Sequence, residues 1–418
     1  VGEVGVASVW DFAGVSRPVT VALLDDGLRY HEDLPASRIL EGVDFLYGAF
    51  PVNEPNNSHA LALAGIIAAS HTTDSIAGTS PNSGVISMNP NALIRPVRII
   101  DWNARGHGQS NLGDGWIMYA SIKYAYESGA DVISCAWGVG DYDADLSYVA
   151  DILEQASILG RNGKGCPIIF AAGRVPYEVG WTPHDWPPDF PANQPFVLSV
   201  GSVNLDDQLF VYSPAGRTLE ELDVVAPSSG LDFTGSLWTL DDMGDLGWNP
   251  LTYEASAWDC KLPGKDHPKD RDYNCHFGGT SASAAAVAGI ASLLVAKKPE
   301  LTAYEVYFII KQSAKRSGLG PDGTFNMEPN RYFGFGRADA FRALLSISRG
   351  DCDNSGGIDI ADLNPLVDRL FISFTPFFPS DLLGDASCDG QVDIADLTVL
   401  VDHLFITAKP ITSPCFAY

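Results

Sequence analysis

Basic side chains are scarce: 26 Lys and Arg stand against 52 Asp and Glu, a net charge of −26. That balance argues against nucleic acid and anionic membrane as partners, since both are polyanions, and favours solubility and cation binding. A long uninterrupted apolar run is also missing. The longest, Ala282–Ala296, is broken by Ser and Gly and falls short of the roughly 20 residues that cross a bilayer, so no membrane span is expected. No signal-peptide pattern opens the chain at Val1, which suits the processed form of a secreted precursor. None of the seven cysteines has zinc-ligand spacing. Cys260 and Cys275 bracket a polar loop and are the first choice for a disulfide; Cys135 with Cys166 or Cys275 competes. Cys352 and Cys388 would bridge each other or reach Cys415, and disulfides of this kind suit an oxidising, extracellular setting.

What remains is ample for a large core, since 46% of the 418 residues are apolar. Buried β-branched runs at 19–24, 93–99, 132–136, 168–171 and 197–203 predict strands. Helical patterns over 60–70, 119–128, 146–159, 281–297 and 303–315 alternate with or follow them. This alternation predicts an α/β fold, a parallel sheet with helices on both faces, whose functional groups gather at the C-terminal strand ends. Tyr177–Pro195 and Ser228–Gly278 read as long surface loops. The large domain is expected over 1–346, a small all-α module over 350–408 and a tail over 409–418, with no Pro/Ser linker at the boundary.

The module writes one acidic phrase twice, 34 residues apart, at Gly350–Leu363 and Gly384–Leu397. Oxygen-bearing side chains fall at loop positions 1, 3, 5, 9 and 12, with Gly at 6, as a 12-residue calcium loop requires. The first loop offers Asp351, Asp353, Ser355, Asp359 and Asp362, and Gly357 through its carbonyl. The second offers Asp385, Ser387, Asp389, Asp393 and Asp396, and Gln391 through its carbonyl. Ile358 and Ile360 are expected to pair across the loops with Val392 and Ile394, above a small core of Leu363, Leu366, Val367, Leu370 and their repeats. The paired pattern resembles the type I dockerin module. That resemblance implies two calcium ions and a protein partner, a cohesin-like receptor. The aromatics Phe371, Phe374, Phe377 and Phe378 form a small core or a patch that docks a partner or another copy of the chain.

Three further segments carry chemistry: a buried strand ending Asp25-Asp26-Gly27, His59 opening an apolar helix, and Ser281 on the Gly278-Gly279-Thr280 turn into a second one. Acid, then His, then a distant Ser, with Ser134-Cys135-Ala136-Trp137-Gly138 and Leu222–Pro227 between, resembles subtilisin-like serine peptidases, with phrases closest to the kexin branch. The β-rich domain that follows the protease in that branch is missing over this stretch. The resemblance implies that Ser281 attacks a peptide carbonyl, His59 carries the proton and Asp25, rather than Asp26, holds the imidazole. It also implies a protein or peptide substrate. Departures accompany it. Arg174 follows Phe170-Ala-Ala-Gly173 where the family has an oxyanion-binding Asn; Ala60-Leu61 replaces Gly-Thr; and Ala285 replaces Pro. Arg174 is expected to donate in place of the amide, fold onto an acid, or plug the cleft. Catalysis is then impaired, and the alternative is an inactive scaffold used for binding or assembly. Asp33 matches a position that helps bind structural calcium in relatives, and the acidic run Asp141–Asp145 is a candidate for recognising basic side chains.

Overall fold

The computed structural model describes residues 17–48, 58–70, 85, 87–101, 115–139, 146–175, 186–218, 220–229, 237–244, 247, 272–274, 277–316, 318, 328–353, 355, 358–377, 380–408 and 411. Seven parallel strands form one sheet: β1 Thr20–Asp25, β2 Val43–Asp44, β3 Leu93–Arg98, β4 Val132–Cys135, β5 Ile168–Ala171, β6 Leu198–Val203 and β7 Val224–Pro227. Their order is β2-β3-β1-β4-β5-β6-β7, so the chain winds in opposite directions from β1. The switch lies between β1 and β4, where α/β folds place their sites.

β1 shows why such strands read as apolar throughout. Val21 and Leu23 point into one core and Ala22 and Leu24 into another, because alternate residues face opposite sides and both sides are covered. The first core holds α1 (His59–Ala68), α4 (Gly279–Lys297), α5 (Ala303–Ser313) and α6 (Ala340–Ser348). The second holds α2 (Gly115–Glu127) and α3 (Ser147–Gly163). α4 is apolar all round because it runs through the centre of its layer. Gly65 lets α1 close onto a two-stranded antiparallel sheet of β8 (Thr239–Leu240) and β9 (Tyr273–Asn274), where a Cβ would run into Thr239 Oγ1. This small sheet, the two-residue β2, β7 and α6 were not among the expected elements.

The module follows α6 without a spacer. α8 (Ile394–Val401) starts at a capping box of Asp393 with Asp396, and the 3₁₀ turn Ile360–Asp362 that leads into α7 (Leu363–Val367) starts at the matching box of Asp359 with Asp362. Leu366, Leu400, Cys352 and Ile411 form its core, and Phe377 packs against both this core and that of the large domain. Ile358 and Val392 line the module core as expected, but Ile360 and Ile394 turn outward and are 64% exposed, so the expected cross-loop pairing of all four is corrected. Each begins the turn after a capping aspartate and so leaves the extended stretch in which it could pair. Phe371 and Phe374 are also exposed, while Phe378 lies outside the described residues.

Cys135, Cys166 and Cys352 are free and buried, which corrects the Cys135–Cys166, Cys135–Cys275 and Cys352–Cys388 pairings. Cys135 and Cys166 are packed into the second core, and Cys166 donates its thiol to Ala130 O. Cys388 is disulfide-bonded. Cys260, Cys275 and Cys415 lie outside the described residues.

Candidate active site

The end of β1 delivers two adjacent acids with separate tasks. His59 Nδ1–H donates to Asp25 Oδ1 at 2.8 Å, and Asp25 is fully buried. Asp26 points the other way. Its Oδ1 accepts the Ala60 N–H at 2.9 Å and its Oδ2 the His59 N–H at 3.3 Å, so it caps the helix that carries the histidine. Ser58 precedes that helix without capping it, because its hydroxyl donates instead to buried Asp242 at 2.8 Å. Three carboxylates thus hold residues 58–60. Asp25 rather than Asp26 was expected at the ring; the parts played by Asp26 and Asp242 were not expected.

Burial alone would lower the His59 pKa, yet the Asp25 charge, its hydrogen bond and the Asp26 charge outweigh burial and raise it. Burial, then the charge of Asp25, push Asp26 up to about 8.

Ser281 sits in the first turn of α4. Gly279 has φ 77°, a left-handed turn that favours glycine, and a Cβ on Gly278 would fall 2.7 Å from Ser229 O. Ser228 Oγ donates to Gly279 O, and Thr280 Oγ1 donates to Gly173 O, both at 2.8 Å. The serine turn is therefore tied to the end of β5. The Ser281 hydroxyl donates to Ala136 O at 3.1 Å, and no hydrogen bond joins it to His59 in the described residues. α1 packs on α4, and the His59 ring lies 5.5 Å from that of Phe277, four residues before the serine. A turn about the serine Cα–Cβ bond redirects the hydroxyl, and such contacts commonly tighten only when substrate binds.

Arg174 follows Gly173 (φ 94°) at the end of β5, is exposed, and makes no ion pair with a described residue. It neither folds onto one of the described acids nor is buried in the cleft. Ala60, Leu61 and Ala285 are fully packed in the core. Trp137 packs edge-on against Phe170 and donates to Leu24 O at 2.8 Å. Asp33 is buried and accepts the Tyr273 hydroxyl at 2.8 Å. Asp141–Asp145 lies outside the described residues. Sequence reasoning missed Asp189. A Cβ on Gly138 would lie 2.7 Å from its Cβ, and one on Gly173 2.2 Å from its Oδ2. The carboxylate is thus set between the ends of β4 and β5, next to the serine turn. Its place in the Pro-rich stretch 186–191 was the one available signal.

In the module, one oxygen each of Asp351, Asp353 and Asp362 lie within 4.8 Å of one another. Asp362 is fully buried, and burial pushes it up to about 6. In the second loop Asp385 Oδ1 accepts Asp389 N–H at 3.1 Å, Asp396 Oδ1 accepts Ser387 N–H at 2.8 Å, and Ala395 N–H donates to Asp393 at 2.7 Å. Gly390 has φ 87°, as a turn at position 6 requires. Gln391 N–H donates to Asp389 and Ser355 N–H to Asp351; Gly357 lies outside the described residues.

The model of the subtilase family matches residues 16–336. The chain belongs to that family. It is 28% identical to a calcium-dependent protease of Nostoc sp. over 81% of this chain and 48% of that protein. To kexin of Saccharomyces cerevisiae it is 24% identical, over 83% of this chain and 38% of that protein. The chain thus spans about half or less of the length of these curated relatives. Among solved structures, the Aeromonas sobria serine protease, in complex with its chaperone, superposes with a TM-score of 0.60. It has 20% identity and covers 78% of this chain and 59% of that one, a likeness of fold.

Proposed function

We propose that this subtilase is a serine endopeptidase acting outside the cell. The observation that carries the reading is the buried Asp25 carboxylate fixed to His59 Nδ1, which leaves Nε2 as the base for Ser281. In the first step the Ser281 oxygen bonds to the peptide carbonyl carbon while its proton passes to His59. The resulting imidazolium is stabilised by Asp25, and its proton then goes to the leaving amine. Water repeats the sequence to free the acid. The positive end of α4 faces the developing oxyanion.

Asp189 supports a preference for a cationic side chain at the residue supplying the carbonyl, because its side chain adjoins the backbone of Gly138 and Gly173, and the Gly173 carbonyl holds Thr280 beside Ser281. The test is hydrolysis of fluorogenic peptides with Arg, Lys or Leu before the scissile bond. Turnover should vanish in Ser281→Ala, and the preference for Arg or Lys over Leu should fall at least tenfold in Asp189→Ser, about the worth of one charge pair. Cleavage that survives Ser281→Ala defeats the reading.

For the module we propose a dockerin-like role with a calcium ion in each loop. The convergent carboxylates of Asp351, Asp353 and Asp362 fit a hard cation, and Ser355, Asp359 and the Gly357 carbonyl would supply the remaining oxygens. Asp385, Ser387, Asp389, Gln391, Asp393 and Asp396 would hold the second ion. Calcium would neutralise acids that otherwise repel one another. Ile360, Phe371 and Ile372 are exposed, and so are Ile394, Phe405 and Ile406 at the repeated positions; this doubled apolar face supports docking to a cohesin-like receptor.

Arg174 favours a second reading, a scaffold with little turnover, because the position bears a charged side chain where the family places a carboxamide donor.

A further inference from the structure

Both calcium loops open on an aspartate that already carries a cation from the large domain. Asp351 Oδ2 lies 3.2 Å from Nζ of Lys297, the last residue of α4, with side chains 4% and 6% exposed. Asp385 Oδ2 pairs with the guanidinium of Arg349, the residue that ends α6, and both side chains are buried. The two contacts fall at the same position of two loops 34 residues apart, and the module supplies neither cation. The other oxygen of each aspartate stays on its loop: Asp351 Oδ1 accepts Ser355 N–H at 2.8 Å and Asp385 Oδ1 accepts Asp389 N–H at 3.1 Å. Each carboxylate is thus shared between a metal loop and the large domain.

We infer that Lys297 and Arg349 are built-in counter-ions that weaken calcium binding and couple metal loading to the seating of the module on the large domain, through Lys297 on the helix that carries Ser281 and through Arg349 on α6. This rests on the calcium reading above. Loops of this type gain affinity with ligand charge, and a buried ammonium beside the first carboxylate removes one charge from the set. Water is largely excluded there, so the field of that cation is poorly screened. Linkage makes the effect mutual: by the factor that Lys297 weakens calcium, calcium weakens the hold of Asp351 on Lys297. Ser281 and Lys297 share one helix, so the latch ends on the element that carries the serine.

The test titrates calcium into the chelator-stripped full chain by calorimetry. Lys297→Met should tighten the first loop about tenfold or more, Arg349→Met the second by a similar factor, and Lys297→Arg should bind like the parent. Asp351→Asn should remove the first event from both the parent and Lys297→Met. In the unmutated chain, hydrogen exchange over residues 294–298 should be faster with calcium than with chelator, a readout that stands if a variant fails to fold. Unchanged or weaker affinity in a folded Lys297→Met, or exchange that ignores calcium, overturns the inference while leaving the metal sites intact. If the parent binds no calcium, the calcium reading itself fails, and this inference with it.

Discussion

Replacing Arg174 with Asn should turn a slow peptidase into a faster one. Residue 174 is held near the serine by two links: Gly173 turns the backbone at the end of β5, and its carbonyl accepts the hydroxyl of Thr280, the neighbour of Ser281. From that anchor a carboxamide is short enough to donate to an oxyanion forming at the serine. The guanidinium extends into solvent, with no ion pair to any described residue. One such donor is worth about 3–4 kcal/mol, a factor of roughly a hundred to a thousand in kcat. Because the exposed Arg174 has few contacts to lose, stability should change by no more than about 0.5 kcal/mol. Steady-state hydrolysis of a fluorogenic peptide, with a thermal melt of each variant, reads both. The expected result is a rise in kcat with KM little changed, the mark of an interaction made only in the transition state. An unchanged or lower kcat at unchanged Tm refutes the reasoning. Arg174→Ala then separates the causes, since a further fall would mean that the guanidinium is itself the donor.

Other expectations concern pH and metal. The raised pKa of His59 means that kcat/KM should fall on acidification with a midpoint above the ordinary histidine value of about 6.5, and lowering salt should move that midpoint up. Asp26 has its folded value raised to about 8 from an ordinary 3.8, so the folded state binds more protons between those values. Its contribution is fully present below the lower value and is lost as pH rises through the upper one; melts from pH 5 to 9 should show falling Tm, and Asp26→Asn should flatten the slope. Chelation should lower the Tm of the module and remove two binding events on back-titration. Calcium affinity that survives both Asp351→Ala and Asp385→Ala would contradict the loop assignment.

Much of this was legible because burial writes itself into composition. β1 and α4 are apolar on every face, so sequence located them within a residue or two. β2 was not legible, since Val43–Asp44 is too short to show a period and pairs only through its register with Val97 and Arg98. The order of Asp25, His59 and Ser281 pointed to one site and to the first acid for the ring, but nothing in it showed that the second acid caps the helix. The Asp26 cap and the Asp242 contact with Ser58 depend on elements distant in sequence. Lys297 and Arg349 gave no signal at all. Each ends an ordinary helix, and only the fold sets them on the loops.

The most direct measurement of the central claim is intact-mass analysis after exposure to a fluorophosphonate. A single adduct on Ser281, absent in Ser281→Ala and slowed in His59→Ala, is the predicted result. A folded chain that takes up no reagent at Ser281, even with Asn at position 174, would contradict it.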